Sequence, residues 1–409
     1  MSAEASRTAR VALIATLAIQ IFTSLAATSP AVLAPVLAAE LGITPKWIGV
    51  FVGLVYAGAM LSSLACGGFI ARFGAIRVSQ VCVLLCAAGT ATVALLPATA
   101  VGLLVAAAFV IGIGYGPITP ASSAVLVHTT PPTQMALTFS IKQTGVPAGM
   151  ALGGAVLPAL ALGLGWRGAL LAVAALGALV ALAAQPIRHT LDAHRERART
   201  VSLRGVVEPL RLVLTTRSLR EMSLVGLAFA AVQVCLTSFL VSFLHEALEW
   251  TLIASGLALT CATVGAVIGR IAWGVVADRL LSPVRTLVLI GLLASASGLL
   301  LAAATAAWPA WLILPLAAIY GGMAIGWNGV QLAELARRAP PGMTGAVTGA
   351  SGFVTFAGVV AGPVVFAALA GAFASYRVGF LLAAAVSGVA AAGLLIGSRG
   401  VQAPANLWK

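Results

Sequence analysis

Charge is what this sequence has least of. Only 8% of its 409 residues are Asp, Glu, Lys or Arg, where a soluble domain carries about 25%. A chain so poor in charge cannot cover a water-facing surface, which excludes a soluble enzyme or binding module. Acid is scarcer still. Ten Asp and Glu stand against 23 Lys and Arg, a formal net charge of +13. In a soluble protein that balance would suggest nucleic acid; here the placement of the cations matters more than their sum, and no nucleic-acid partner is implied. Histidines number four and cysteines five. Cys66, Cys82, Cys86, Cys235 and Cys261 lie in apolar stretches without ligand partners at metal spacing, so they read as small buried hydrophobes. No metal or other cofactor is implied. A P-loop and a His/Asp/Glu cluster are both missing, which speaks against ATP-driven transport and a membrane enzyme. No signalling domain is appended, which speaks against a receptor. The first apolar stretch, 11–39, is too long for the core of a cleaved signal peptide.

What is abundant is apolar residue in long runs. Hydrophobic residues make up 61% of the chain, and the mean hydropathy is +1.09. The solvent is therefore lipid. Lipid admits helices or closed barrels, and runs of this length without alternation are helices. A span needs about 20 apolar residues. Twelve candidates follow, at 11–39, 47–71, 78–97, 101–127, 136–162, 166–186, 220–245, 251–277, 285–306, 309–335, 344–372 and 377–398. The fold class expected is an all-α membrane protein of two pseudo-symmetric six-helix bundles, residues 1–186 and 220–409. They are joined by a polar linker at 187–219 that carries Arg188, Arg195, Arg197, Arg199, Arg204, Arg211 and Arg217.

Threading twelve spans with the N-terminus inside puts 18 of the 23 basic residues on the cytoplasmic side. Lys46, Arg167 and Arg377 fall opposite, and Lys142 and Arg270 fall inside spans. That asymmetry orients a multi-pass protein of the cytoplasmic (inner) membrane with both termini cytoplasmic. The halves also repeat. Gly67 and Arg72 match Gly274 and Arg279 at an offset of 207, and Trp166-Arg167 matches Tyr376-Arg377 at 210. Two parallel halves form a transporter architecture with a site near the midplane between them.

The repeat carries a motif. Gly274-Val-Val-Ala-Asp278-Arg279 follows a helix in the second half; Gly67-Gly-Phe-Ile-Ala71-Arg72-Phe-Gly74 stands in the same place in the first. These residues resemble the G-x-x-x-D-R-x-G signature of the major facilitator superfamily. The first copy has Ala71 at the Asp position, and the second lacks the later Gly. The resemblance implies a gate in which Gly67, Arg72, Gly74, Gly274, Asp278 and Arg279 bring helix ends together. It also implies a latch between Asp and Arg that breaks when the cytoplasmic side opens.

An ionisable group at the bilayer centre costs roughly 2.5–3.5 kcal/mol even on a mild scale, so Lys142 and Arg270 need a reason. Each lies about 10–12 Å from the cytoplasmic end at 1.5 Å per residue. They come from opposite halves, and no acid lies at comparable depth. Two unpaired cations in a dry cavity call for an anion. The competing reading sends Lys142 to the cytoplasmic surface and has Arg270 cap backbone carbonyls. The stretch Gly269-Arg270-Ile-Ala-Trp-Gly274 resembles the eighth helix of the monocarboxylate and oxalate/formate branch, where the resemblance assigns the Arg to the substrate carboxylate. Where proton-coupled members carry an Asp one turn earlier, this chain has Ala266.

The resemblance also assigns the cavity lining to the first, fourth, seventh and tenth spans. Their polar residues are Gln20, Ser24 and Thr28; Tyr115, Thr119 and Ser122; Gln233 and Thr237; Tyr320, Trp327, Asn328 and Gln331. Interhelical hydrogen bonding would use the same residue types. The substrate site expected is Arg270, Lys142, Tyr115, Thr119, Gln20, Gln233, Trp327, Asn328 and Gln331. The function expected is secondary transport of a small organic anion by a monomer; the alternative is a proton-driven drug or metabolite exporter.

Overall fold

The computed structural model describes residues 3–42, 46–97, 102–193, 195–196, 198 and 204–399. Of the basic residues counted above, Arg197, Arg199 and Lys409 lie outside the described residues, and only the backbone of Lys46, Arg204 and Arg399 is described.

The regular secondary structure of the described residues is helical, without a strand. The first span is α1 (Ala3–Val32) continued by α2 (Ala34–Leu41), and the next two are α3 (Lys46–Phe73) and α4 (Ala75–Leu95). The fourth is α5 (Gly102–Tyr115) plus α6 (Ile118–Thr129). α7 (Met135–Gln143) and α8 (Gly145–Ala183) supply the fifth and sixth, and α9 (Arg188–Leu191) and α10 (Arg204–Thr215) belong to the linker. The second half runs α11 (Arg217–Ser242), α12 (Leu252–Arg279), α13 (Pro283–Ala303), α14 (Ala310–Ala324), α15 (Asn328–Arg338), α16 (Thr344–Ala372) and α17 (Tyr376–Arg399).

Eleven stretches are long and apolar enough to cross a membrane. One of them, Pro132–Ala183, has 52 residues, roughly 78 Å of helix at 1.5 Å per residue, more than twice a hydrocarbon core. It is two spans. Gly165, at φ 71° and ψ 163°, turns the chain between them, a conformation that suits only glycine. Twelve spans result. Leu162 and Ile253, 91% and 88% exposed, are side chains that only lipid would cover.

Four spans expected to be continuous are broken. Pro35 interrupts the first near Leu33, Pro117 the fourth, and Pro147 the fifth at Thr144, because proline lacks the N–H that an i−4 carbonyl needs. The tenth breaks between Ile325 and Trp327, at a glycine-rich stretch that includes Gly326. Such breaks survive in a membrane only where they are buried in protein or line a cavity.

The halves meet through α3 and α6 against α16, and through α7 against α12 and α15. Two motif glycines set the distance. A Cβ on Gly67 would stand 2.5 Å from the Ala346 Cβ, and one on Gly274 would stand 2.9 Å from the Leu137 Cα. Both contacts lie at the end of the bundle that carries the linker, called here the linker end. Helix α10 lies there against α3 of one half and α16 of the other. Among the described residues, the hydrogen bonds between the two halves also lie toward this end.

At the far end each half is stapled within itself, and the repeat extends to atoms. Glu40 accepts from the Trp166 indole and from Arg167, which also donates to the Leu96 carbonyl at 3.1 Å. In the second half, Glu246 accepts from the Tyr376 hydroxyl at 2.7 Å, and Arg377 donates to the Ala302 carbonyl at 2.7 Å. The aromatic-Arg pair was visible as a repeat; its acid partner, more than a hundred residues away, was not.

Candidate functional site

The site is built on the breaks. In a continuous helix the Gln143 carbonyl would accept from the N–H of residue 147, but residue 147 is proline. The Ile325 carbonyl ends α14 where that helix stops. Both are carbonyls without a helical partner, one in each half. Arg270, 2% exposed on α12, takes both: its Nε donates to Ile325 O at 3.2 Å, and its Nη1 donates to Gln143 O. Of the two readings open from the sequence, Arg270 bonds to backbone carbonyls in this conformation.

Lys142 does not reach the surface. It is 1% exposed, and its Nζ donates to Gln20 Oε1 at 2.7 Å, Gln143 Oε1 at 3.0 Å and Thr119 Oγ1 at 3.4 Å. Gln20 in turn donates to Ser24 Oγ at 3.3 Å, and Tyr115 stands with its hydroxyl at Ser24. On the other side Ile325 O also accepts from Asn328 Nδ2 at 3.3 Å, and Asn328 Nδ2 donates to Gln233 Oε1 at 3.1 Å. A chain of hydrogen bonds therefore runs from Gln20 and Thr119 through Lys142, Gln143, Arg270 and Asn328 to Gln233, crossing between the halves at Arg270 and Gln143.

Two expected residues stand outside this chain. Gln331 donates to the Met222 carbonyl at 3.1 Å and packs against α11. Trp327, 1% exposed, meets Phe229 edge-on at 5.8 Å between ring centroids, and its Nε1 is a buried donor without a partner. Tyr320 is likewise turned away, its hydroxyl against Gly298.

Every described partner of the two cations is an uncharged oxygen. Ion pairs of the described residues stand elsewhere, as at Arg167–Glu40, Arg217–Glu221, Arg337–Asp278 and between Glu334 and Arg337 or Arg338. Neutral oxygens lower the cost of burying a cation but leave its charge uncompensated. The arrangement holds two such cations, with a forked guanidinium and an ammonium as donors, at the seam of two rigid bundles.

The motif residues sit at the linker end. Asp278 accepts from the Ala136 and Leu137 N–H groups at 3.1 and 2.8 Å, capping α7 of the opposite half. The cation beside it is Arg337, at 3.4 Å, which also donates to Pro132 O at 2.9 Å. Arg279, expected in the latch, is exposed, and Arg72 lies over the Phe73 ring. Gly74, at φ 96°, begins α4 against Asp192 of the linker, whose carboxylate accepts from Ile76 and Arg77 N–H at 2.8 and 3.0 Å. Burial pushes the Asp192 carboxyl up, and those two bonds oppose the shift.

Sequence reasoning missed Gln143, Arg337 as the partner of Asp278, and Asp192. The first had a signal: a proline four residues on leaves the Gln143 carbonyl without its helical donor. The other two are long-range contacts with no local pattern.

Comparison with known proteins agrees with the fold. No curated protein matches the chain in sequence. Among solved structures, the Escherichia coli fucose:proton symporter FucP is 15% identical with a TM-score of 0.74, covering 96% of this chain and 99% of that one. The human organic anion transporter TETRAN is 18% identical at a TM-score of 0.73, covering 96% and 100%. A bacterial homologue of the iron transporter ferroportin, in an outward-facing state, is 13% identical at 0.75, covering 95% and 99%. The profile described as Major Facilitator Superfamily matches residues 15–363. With most of its length matched and its twelve spans in two bundles, the chain belongs to the major facilitator superfamily and is a membrane transporter, not an enzyme.

Proposed function

We propose that the chain is a secondary active transporter of a small organic anion, a carboxylate, working by alternating access. The observation that carries this reading is the pair of buried cations from opposite halves, Lys142 and Arg270, whose described partners are all neutral oxygens. A carboxylate offers what those oxygens lack, a negative charge with two acceptors that matches the guanidinium fork. Gln20, Thr119, Asn328 and Gln233 complete the polar surround, with Tyr115 beside Ser24. The place of Arg270, four residues before Gly274, supports the monocarboxylate and oxalate/formate branch. The fold does not choose a solute: the similar structures are named for fucose in one case and organic anions in another.

The moving bodies in this reading are residues 1–186 and 220–409, with 187–219 as the tether, in a single chain acting as a monomer. The distribution of basic residues supports an orientation in the cell membrane with the linker end and both termini facing the cytoplasm. The Asp278–Arg337 contact and the motif glycines form the gate. Acids of the described residues sit toward the ends of the bundle or in the linker, as Glu40, Glu246, Asp278 and Glu334 do, and none is among the described partners of Lys142 and Arg270. That disfavours the proton-driven exporter.

The test is uptake of radiolabelled organic acids by proteoliposomes. Arg270→Gln is expected to abolish saturable uptake. Uptake with unchanged rate and affinity in that variant would remove Arg270, and this reading, from the mechanism.

A further inference from the structure

Both cations of the site converge on one residue that is not itself charged. Gln143 gives its side-chain oxygen to Lys142 Nζ at 3.0 Å and its backbone oxygen to Arg270 Nη1. It is 5% exposed. Its backbone oxygen is available only because Pro147 supplies no N–H one turn later. We infer that Gln143 is a built-in stand-in for the substrate anion: its two oxygens occupy the cations of the empty carrier, and the substrate carboxylate must displace them to bind. This rests on the organic-anion reading above and names the residue that tunes affinity within it.

The physical consequence is specific. Two amide oxygens present two acceptors with partial negative charge, enough to keep two cations hydrated in effect while the site is dry, and weak enough to yield to a full charge. A carrier held mostly in this self-satisfied state shows an affinity lowered by the fraction of time the cations are open to a ligand. The displacement also has a mechanical effect. Arg270 belongs to α12 of the second half and Gln143 to α7 of the first, so an anion that takes the guanidinium breaks a bond across the gate. Binding thus loosens the contact between halves that reorientation must break, while the empty carrier retains it.

The test titrates acetate, oxalate and succinate against the purified full-length chain by calorimetry, comparing four variants. Gln143→Leu keeps the size and removes the side-chain acceptor; binding of the acids that the native chain binds is expected to tighten about tenfold, the scale of one hydrogen bond to a charged group. Pro147→Ala gives the Gln143 carbonyl an N–H partner within the helix and is expected to tighten binding independently, so the idea does not hang on one variant folding. Gln143→Glu places a permanent carboxylate between the cations and is expected to eliminate binding. Arg270→Gln is expected to eliminate binding as well. If Arg270→Gln eliminates binding while Gln143→Leu and Pro147→Ala leave it unchanged or weaker, Gln143 is a structural or direct binding residue and the stand-in role is wrong, with the transport reading intact. If Arg270→Gln binds like the native chain, the anion site itself is wrong and both fall.

Discussion

Ser63 and Arg270 occupy equivalent positions in the two halves, each four residues before its motif glycine, and each donates a hydrogen bond to a backbone carbonyl of the opposite half. Ser63 Oγ donates to Gly349 O at 3.0 Å, and Arg270 Nη1 donates to Gln143 O. The frame of the bond is the same; the charge is not. One half closes the seam with a neutral hydroxyl, and the other closes it with a guanidinium that also belongs to the candidate site. In the proposed mechanism, this asymmetry lets an anion bound at Arg270 act on one side of the seam.

The cap that Asp278 places on α7 joins the two halves, which separate at this end in the proposed alternating-access cycle. Removing a helix cap costs about 0.5–2 kcal/mol, which corresponds to a two- to thirty-fold change in an equilibrium at about 0.59 kcal/mol per RT. Asp278→Ala is therefore expected to shift the carrier toward opening at the linker end. Spin labels at the exposed Arg72 and Arg279 positions report that distance directly. A distribution identical to the native one would mean the cap does not hold the gate.

The first half lacks this cap. Ala71 stands where the acid would be, beside a cavity of about 40 Å³ bordered by Thr344, Gly345 and Ala346 at the start of α16. Ala71→Asp is expected to accept from those N–H groups as Asp278 does from α7, stabilising closure at the linker end. Melting temperature should rise, and the turnover of transport should fall. A lower melting temperature with faster transport would contradict the symmetry argument.

Close approach at Gly274 is required rather than tolerated. An added Cβ would meet Ser140 Oγ at 2.8 Å and the Leu137 Cα at 2.9 Å, and the backbone cannot give way cheaply. Gly274→Ala should cost about 1–3 kcal/mol by overpacking and push α12 from α7. Gly154→Ala is the control: nothing lies within 4 Å of the added methyl, and replacing a mid-helix glycine is expected to stabilise by roughly 0.5–1 kcal/mol. Thermal unfolding of the two variants should move in opposite directions.

The far-end staple responds to acid. The hydrogen bond from Trp166, then that from Arg167, holds the Glu40 carboxyl below the ordinary carboxylate range. Its folded value is depressed, so its contribution is complete above the unfolded value of about 4.3 and is lost as pH falls through the folded value. The native chain should therefore be more stable than Glu40→Gln at neutral pH, and the gap should close as pH falls through the depressed folded value. Melting curves between pH 7 and pH 3 test this; a gap independent of pH would show that the carboxylate charge plays no part. The exposure of the pair keeps the effect small.

Membrane residence, the number of spans and the two-fold repeat were legible in the sequence because each depends on local composition. A run of apolar residues must lie in lipid, and Gly165 between two runs must turn. Lys142 and Arg270 were legible for the same reason: a charge inside an apolar run is visible without knowing its neighbours. The breaks at Pro117 and Pro147 were readable in principle, since a missing N–H is a local fact, but a proline does not say which side chain will take the carbonyl it strands. That Arg270 reaches Gln143, that Asp278 meets Arg337 rather than a motif arginine, and that Glu40 finds Trp166 were decided by tertiary structure alone. These partners are 59 to 127 residues apart. The alphabet of polar groups was written in the sequence; which donor met which acceptor depended on how two bundles close against each other.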